Sequence, residues 1–247
     1  MIDLNSQSGL AGRLNYFIDA HIAKGEAEAQ RREYLGASVV GHECERAVQY
    51  HWLCAQGKEE RKPVAPRVLR IFDRGNIYED QARKWLKHSG FLFGWVAGTF
   101  PPNAFSDFDG RFRGHADGVV TGWRGKDACP IELPELWENK CLGSKGWKKL
   151  KNEKLKAYSS TYFSQIQIYM HYLDLPRCLF TAVNADTMEI YHELVGRDQT
   201  EAELCRSRVA AIFAATEAGE MVPRCTGDPS YYICKWCDFS ARCWAND

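Results

Sequence analysis

Four residues of this chain have the types and the spacing to act on a phosphodiester. Glu138 and Lys140 flank Asn139, and Asp117 stands twenty-one residues upstream in Gly114-His115-Ala116-Asp117-Gly118-Val119-Val120. In a β-strand, residues i and i+2 project from the same face. Glu138 and Lys140 therefore point one way and Asn139 the other. With Asp117 on a neighbouring strand, two carboxylates and one amine converge. Oxygen ligands of this kind suit Mg²⁺ or Mn²⁺, and the Asn139 backbone carbonyl would add a further one. Lys140 would neutralise charge developing on a phosphate, or accept a proton. His115, two residues before Asp117, is expected to share its face. An acid-x-Lys triplet alone is usually a solvated strand face, so the motifs around it decide.

A second constellation lies near the C-terminus. Cys234, Cys237 and Cys243 have the spacing Cys-x2-Cys-x5-Cys. Three thiols so spaced suit a metal, with a fourth ligand completing the set. Cys225 is the nearby choice and would make a zinc knuckle. Cys44 is the remote one and would close most of the chain into a loop. Ten cysteines in all, in a chain expected in a reducing compartment, favour metal binding over disulfides. Cys54, Cys129, Cys141, Cys178 and Cys205 stand apart and read as ordinary core or surface residues.

The elements that must position these groups are legible in outline. Leu10 to Gln30 reads as an amphipathic helix, and Ser38 as the cap of a second helix reaching Cys54. Lys58 to Pro66 is a loop, and Arg67 to His88 is a long helix ended by Gly90. Short strands follow from Phe91. Phe112 to Val120 and Ile131 to Lys140 read as strands, the second regular only after Pro134. Tyr158 to Leu173 is helical, Cys178 to Val183 and Met188 to Val195 are strands, and Thr200-Glu201-Ala202-Glu203 opens a last helix to Ala218. This order suits an α/β core with a mixed sheet flanked by helices. One domain over 1–247 is expected, with a helical part at 1–66, a core at 67–195, and a helix with a metal-binding cysteine tail at 196–247.

Gly75-x-x-Tyr78-Glu79, Asp117-Gly118, Glu138-x-Lys140 and Gln165-x-x-x-Tyr169, in that order, resemble the PD-(D/E)XK nuclease superfamily. Within it they are most similar to the phage lambda exonuclease and RecB-type branch. The resemblance runs over residues 34–195. It implies a restriction-endonuclease-like sheet and Glu79 as an extra metal carboxylate. Gln165 and Tyr169 would line the site or touch DNA, or form only a polar helix face. The chain departs from the pattern at Ala116, where the superfamily often has proline. It also has Tyr78 and Glu79 where RecB-type members often place a histidine. The activity implied is a Mg²⁺-dependent deoxyribonuclease, an exonuclease of recombination or end processing, of phage or mobile-element origin. A structure-selective endonuclease and a non-catalytic DNA-binding module are the alternatives. The tail, together with Cys44-Glu45-Arg46, resembles the iron–sulphur branch of RecB-type nucleases. That implies a [4Fe–4S] cluster on Cys44, Cys234, Cys237 and Cys243, the alternative being Zn²⁺ through Cys225, Cys234, Cys237 and Cys243. Partners implied are DNA, a second copy of the chain, and a strand-annealing or recombination protein.

Charge adds one more feature. Lys+Arg and Asp+Glu both number 32, so no general basic coat exists, but a local one can. Lys145 to Lys156 holds six lysines and one glutamate. Lys145, Lys148, Lys149 and Lys151 are candidates for contacting a phosphate backbone. Trp147 either stacks on a base or anchors the segment in the core. No apolar run approaches the roughly 20 residues of a membrane helix. Met1–Ser8 is polar, without a signal core, and a cytoplasmic location with no membrane partner is expected.

Overall fold

The computed structural model of the chain describes residues 9–99 and 101–245; Met1–Ser8 lies outside them. The elements in chain order are α1 (Leu10–Glu28), β1 (Leu35–Gly36), α2 (Glu45–Ala55), α3 (Pro66–Ser89), β2 (Phe91–Gly94), β3 (Ala104–Asp107) and β4 (Phe112–His115). They continue with β5 (Gly118–Trp123), β6 (Glu135–Leu142), α4 (Ser144–Tyr158), α5 (Ser160–Tyr172), β7 (Arg177–Asn184), β8 (Ile190–Gly196) and α6 (Gln199–Glu217). Two single turns of helix close the chain, α7 (Tyr232–Lys235) and α8 (Ser240–Cys243).

The main sheet has the order β2-β5-β6-β7-β8. Only β6 and β7 pair in parallel; the other neighbours are antiparallel. A parallel pair needs a long crossover, which α4 and α5 supply. Alternation along β6 sends Leu136 to one face, with Phe180, Ile166 and Met170. Trp137 goes to the other, with Val120, Leu179 and Ala82 of α3. Residues Phe163 to Met170 of α5 are all buried, so this helix is covered on every side and its apolar period is blurred. The mixed α/β sheet flanked by helices is as expected, and β6 does begin directly after Pro134.

Two local readings change, and the lysine-rich segment gains an element. Phe112 to Val120 is not one strand. The chain leaves β4, which pairs with β1 and β3 in a separate three-stranded sheet, and enters the main sheet at β5. Ala116 and Asp117 make the crossing, with the Ala116 N–H donating to the Asn103 carbonyl at 3.0 Å. The lysine-rich segment is a helix, α4, broken at Lys154 (φ 68°, ψ 162°), because Trp147, Leu150 and Leu155 all turn inward. The second helix starts at Glu45 with Cys44 as its N-cap, preceded by a 3₁₀ turn at Ala37–Val39.

α2 ties the two ends of the chain together. Gln49 is fully buried. Its Nε2 donates to the Thr216 hydroxyl at 3.1 Å and the Glu220 carbonyl at 2.8 Å, and its Oε1 accepts the Val222 N–H at 2.8 Å. Arg46 Nε donates to the Val222 carbonyl at 2.6 Å, and Tyr50 stacks on Phe239 with centroids 5.1 Å apart. No helix among the described residues is long and apolar enough to cross a membrane.

Candidate active site

The pairing of Gly118 with Trp137 sets Asp117 opposite Glu138 across the β5–β6 ladder. Gly118 leaves room beside this pair for the Phe93 ring of β2, which a Cβ there would meet at 2.9 Å. Asp117 Oδ2 accepts the Asn139 N–H at 2.8 Å. Lys140 Nζ donates to Glu138 Oε1 at 2.5 Å and lies 5.1 Å from the Tyr162 ring centroid. Glu138 is 1% exposed, and its Oε2 is buried with no partner. Asn139 points to the opposite face, where its side-chain amide is buried with neither atom partnered.

Helices complete the surroundings. On α5, Gln165 and Tyr169 are buried, and Gln165 Nε2 donates to the Tyr169 hydroxyl at 3.2 Å. Glu79 approaches from α3, held by a residue that motif reading passed over. Arg83 Nη2 donates to Glu79 Oε1 at 2.5 Å and to the Asp117 carbonyl at 2.8 Å. Its guanidinium also lies 5.5 Å from the Trp137 ring centroid. The i,i+4 spacing of Glu79 and Arg83 was the available signal.

Burial first, and neighbouring negative charge second, raises the proton affinity of the groups gathered here. The Glu79 carboxyl is pushed up to about 7 by burial and then by Asp117, against the pull of Arg83. Burial and Asp117 raise Glu138 as well, against Lys140. Burial alone would lower Lys140, yet Glu138 and Asp117 hold it above the ordinary lysine value. Burial and then Glu138 raise the Tyr169 phenol too. A potential that retains protons on acids and amine alike is one that a cation would relieve. The orphaned Glu138 Oε2 is an oxygen such a cation could take. As the side chains stand, no three His, Cys, Asp or Glu residues among those described are arranged to hold a metal ion; Lys140 and the Asn139 N–H occupy the carboxylates instead.

Other candidates fall elsewhere. His115 is exposed at the end of β4, paired with Ala104, on the smaller sheet and not beside Asp117. Trp147 is 3% exposed and donates Nε1–H to the Ala182 carbonyl at 3.0 Å. It anchors α4 and has no face left for a base. Lys145, Lys148, Lys149 and Lys151 are exposed along α4. Lys149 pairs with Glu153 at 3.7 Å, and Lys151 covers the Trp147 ring at 5.1 Å.

Cys44, Cys225, Cys234, Cys237 and Cys243 line a single small cavity with Arg46, Tyr50 and Phe239. The fold thus brings both proposed fourth ligands to the other three. Desolvation, a hydrogen bond with Cys44 and the nearby Cys234 push the Cys225 thiol up to about 12. Burial raises Cys237, with Cys44, Cys234 and Cys243 adding to it.

No family model matches the sequence, and no curated protein does. Solved structures do share the fold. An alkaline exonuclease (LHK-Exo) from Laribacter hongkongensis aligns over 76% of this chain and 90% of its own, with TM-score 0.52 and 20% identity. LHK-Exo in complex with dAMP aligns over 76% and 89%, with TM-score 0.51 and 20% identity. The fold is therefore of the type these nucleases use.

Proposed function

We propose that the chain is a Mg²⁺-dependent deoxyribonuclease that hydrolyses DNA phosphodiester bonds, working as an exonuclease in recombination or end processing. One observation carries the reading: Asp117, Glu138 and Lys140 meet across β5 and β6 while a Glu138 oxygen stays buried and unpartnered. Folding gains nothing from that oxygen, since burying a charged group without a full set of partners costs several kcal/mol. Nuclease fold neighbours, one in complex with dAMP, support DNA as the substrate.

In this reading Glu79, Asp117, Glu138 and the Asn139 carbonyl hold the metal. A divalent ion there would polarise the scissile phosphate and lower the pKa of a bound water. Lys140 serves as a positive group toward the phosphate, or accepts a proton once a metal takes up the charge of Glu138 and Asp117 that now holds it protonated. Arg83 keeps Glu79 turned toward the site, and Gln165 and Tyr169 back the carboxylates from α5. The exposed lysines of α4 contact the DNA backbone. The cysteine cavity holds a [4Fe–4S] cluster with a structural role on Cys44, Cys234, Cys237 and Cys243, or zinc if Cys225 replaces Cys44.

Incubating the purified chain with end-labelled linear DNA and with closed circular DNA, with Mg²⁺ or with chelator, tests the activity. Mg²⁺-dependent loss of linear DNA alone is the expected result. Cutting of the circle would make it an endonuclease. Binding without cleavage of either would leave a DNA-binding module on a nuclease fold.

A further inference from the structure

Two glycines bring four basic residues together at the far end of β2 and β5. Gly90 closes α3 with φ 122°, a conformation that residues bearing a Cβ rarely adopt. Its carbonyl accepts the Arg124 N–H at 2.8 Å. A Cβ at Gly90 would lie 2.9 Å from the Gly125 nitrogen, and one at Gly125 would lie 2.0 Å from the Trp123 ring. A side chain at Gly90 would push the two segments apart, and one at Gly125 would displace the Trp123 ring of its own segment. Lys87 and His88 precede Gly90, while Arg124 and Lys126 flank Gly125. The four line one open groove of about 760 Å³, together with Ser89 and Thr121.

No acid lines this groove. Asp127, the nearest in sequence, contributes its backbone carbonyl to Trp123 Nε1–H at 2.8 Å. Among the described residues, Lys87, Arg124 and Lys126 have no acidic partner; Lys87 only approaches the Phe93 ring, at 5.8 Å. In a chain of zero formal charge this is a local segregation of cations. The C-terminal end of α3 accounts for Lys87 and His88, which face its partial negative charge. It does not account for Arg124 and Lys126, which come from the β5–β6 connection.

We infer that this groove is a second contact for the phosphodiester backbone of nucleic acid, an inference that rests on the function proposed above. The groove lies along β5 from the carboxylates, on the order of 20 Å away at about 3.3 Å per strand residue. At about 3.4 Å per base pair that distance is on the order of six base pairs. DNA placed at Asp117 reaches the groove only when it is longer than this.

The test uses the full chain without Mg²⁺ and DNA hairpins with stems of about 5 and about 25 base pairs, on either side of that reach. Affinity is read by fluorescence anisotropy over a series of salt concentrations. For the long stem, Lys87→Gln/Arg124→Gln/Lys126→Gln should bind on the order of tenfold more weakly, with a log–log salt slope smaller by about 2.7, or 0.9 per phosphate lost. The short stem should bind both proteins equally. An unchanged slope on the long stem, with the parent chain binding normally, overturns the inference and leaves the proposed function standing. Failure of the parent chain to bind either stem overturns the inference, and cleavage of linear DNA with Mg²⁺ then decides the proposed function separately. All three side chains are exposed, and equal melting temperatures verify the fold. Should the triple variant not fold, Lys126→Gln alone must reduce the slope by about 0.9 or the inference fails.

Discussion

The Asp117 carboxylate accepts the backbone N–H of Asn139 at 2.8 Å, so the first acid of the site is held by the strand that carries the second. Asp117 follows the crossing between two sheets, where no ladder of its own would fix it. Its bond to β6 fixes it in place of a ladder. Asp117→Asn keeps the shape and can still accept that bond but removes the charge; Glu138→Gln does the same for the buried acid. Each should lower Mg²⁺-dependent cleavage by roughly 10³-fold, the several kcal/mol that a metal clamp supplies, with near-normal melting. A folded variant that cleaves normally would remove that residue from the site.

Much of this was readable because strand geometry is local. The i,i+2 rule alone places Glu138 beside Lys140, and Pro134 marks where β6 begins. The surroundings of Asp117 were less legible. A continuous strand from Phe112 would have put His115 beside it, whereas the sheet switch at Ala116 sends His115 to another sheet. Pairing partners of short strands are set by tertiary packing, which periodicity does not carry. Trp147 could have gone either way until α4 was seen to turn it inward with Leu150 and Leu155. The groove at Lys87 and Arg124 was invisible for a similar reason, because its halves meet only through the contact of Gly90 with Gly125.

The proposed role of Lys140 predicts that chemistry and binding can be separated. Its ammonium is paired with Glu138. Lys140→Met should leave DNA affinity within about twofold, one phosphate contact being a small part of a polyelectrolyte footprint. It should reduce kcat by about 10²-fold or more, as for loss of a preorganised electrostatic donor. Single-turnover rates and anisotropy on the same DNA check this. Equal losses in both would make Lys140 a binding residue instead.

The burial of Glu79 and Glu138 near Asp117 has a stability signature in the metal-free chain. Glu79 titrates near 7 when folded against 4.5 ordinarily, and Glu138 is raised as well. A carboxyl with a raised folded pKa contributes stability below its unfolded pKa and loses it as pH rises through the folded value. The contribution of these two carboxyls to the stability of the metal-free protein should therefore decline from pH 4.5 to about 7, by about 2–4 °C in Tm per kcal/mol lost, while His51, whose imidazole is lowered to about 4 by burial, contributes a gain over the same range. Asp107 and Asp198, held below the ordinary value, act in the opposite sense at lower pH. Glu138→Gln should flatten the decline, and Mg²⁺ should offset it by binding only the folded state. A Glu138→Gln variant whose Tm changes with pH in parallel with that of the parent chain would mean that this carboxyl is not under such stress.

Where Cys44 and Cys225 sit decides which of them would complete the proposed site in the tail. Cys44 is buried and caps the N-terminus of α2, where the helix end favours the negative charge of a thiolate ligand. Its own N–H donates to His42 Nδ1 at 3.0 Å, and the same helix grips the tail through Arg46, Gln49 and Tyr50. Cys225 is exposed, on a stretch between α6 and α7 with no regular structure. A ligand on a rigid, packed element is positioned before metal arrives, whereas one on a loop must be ordered first. Protein purified without oxygen should be brown, with about four irons per chain, the composition of a cube held by four thiolates. Cys44→Ser should bleach it and lower Tm, because the link between α2 and the tail is lost, while Cys225→Ser should change neither colour nor iron content. Colourless protein carrying a single zinc, released by Cys225→Ser and retained by Cys44→Ser, would assign the site to the local knuckle.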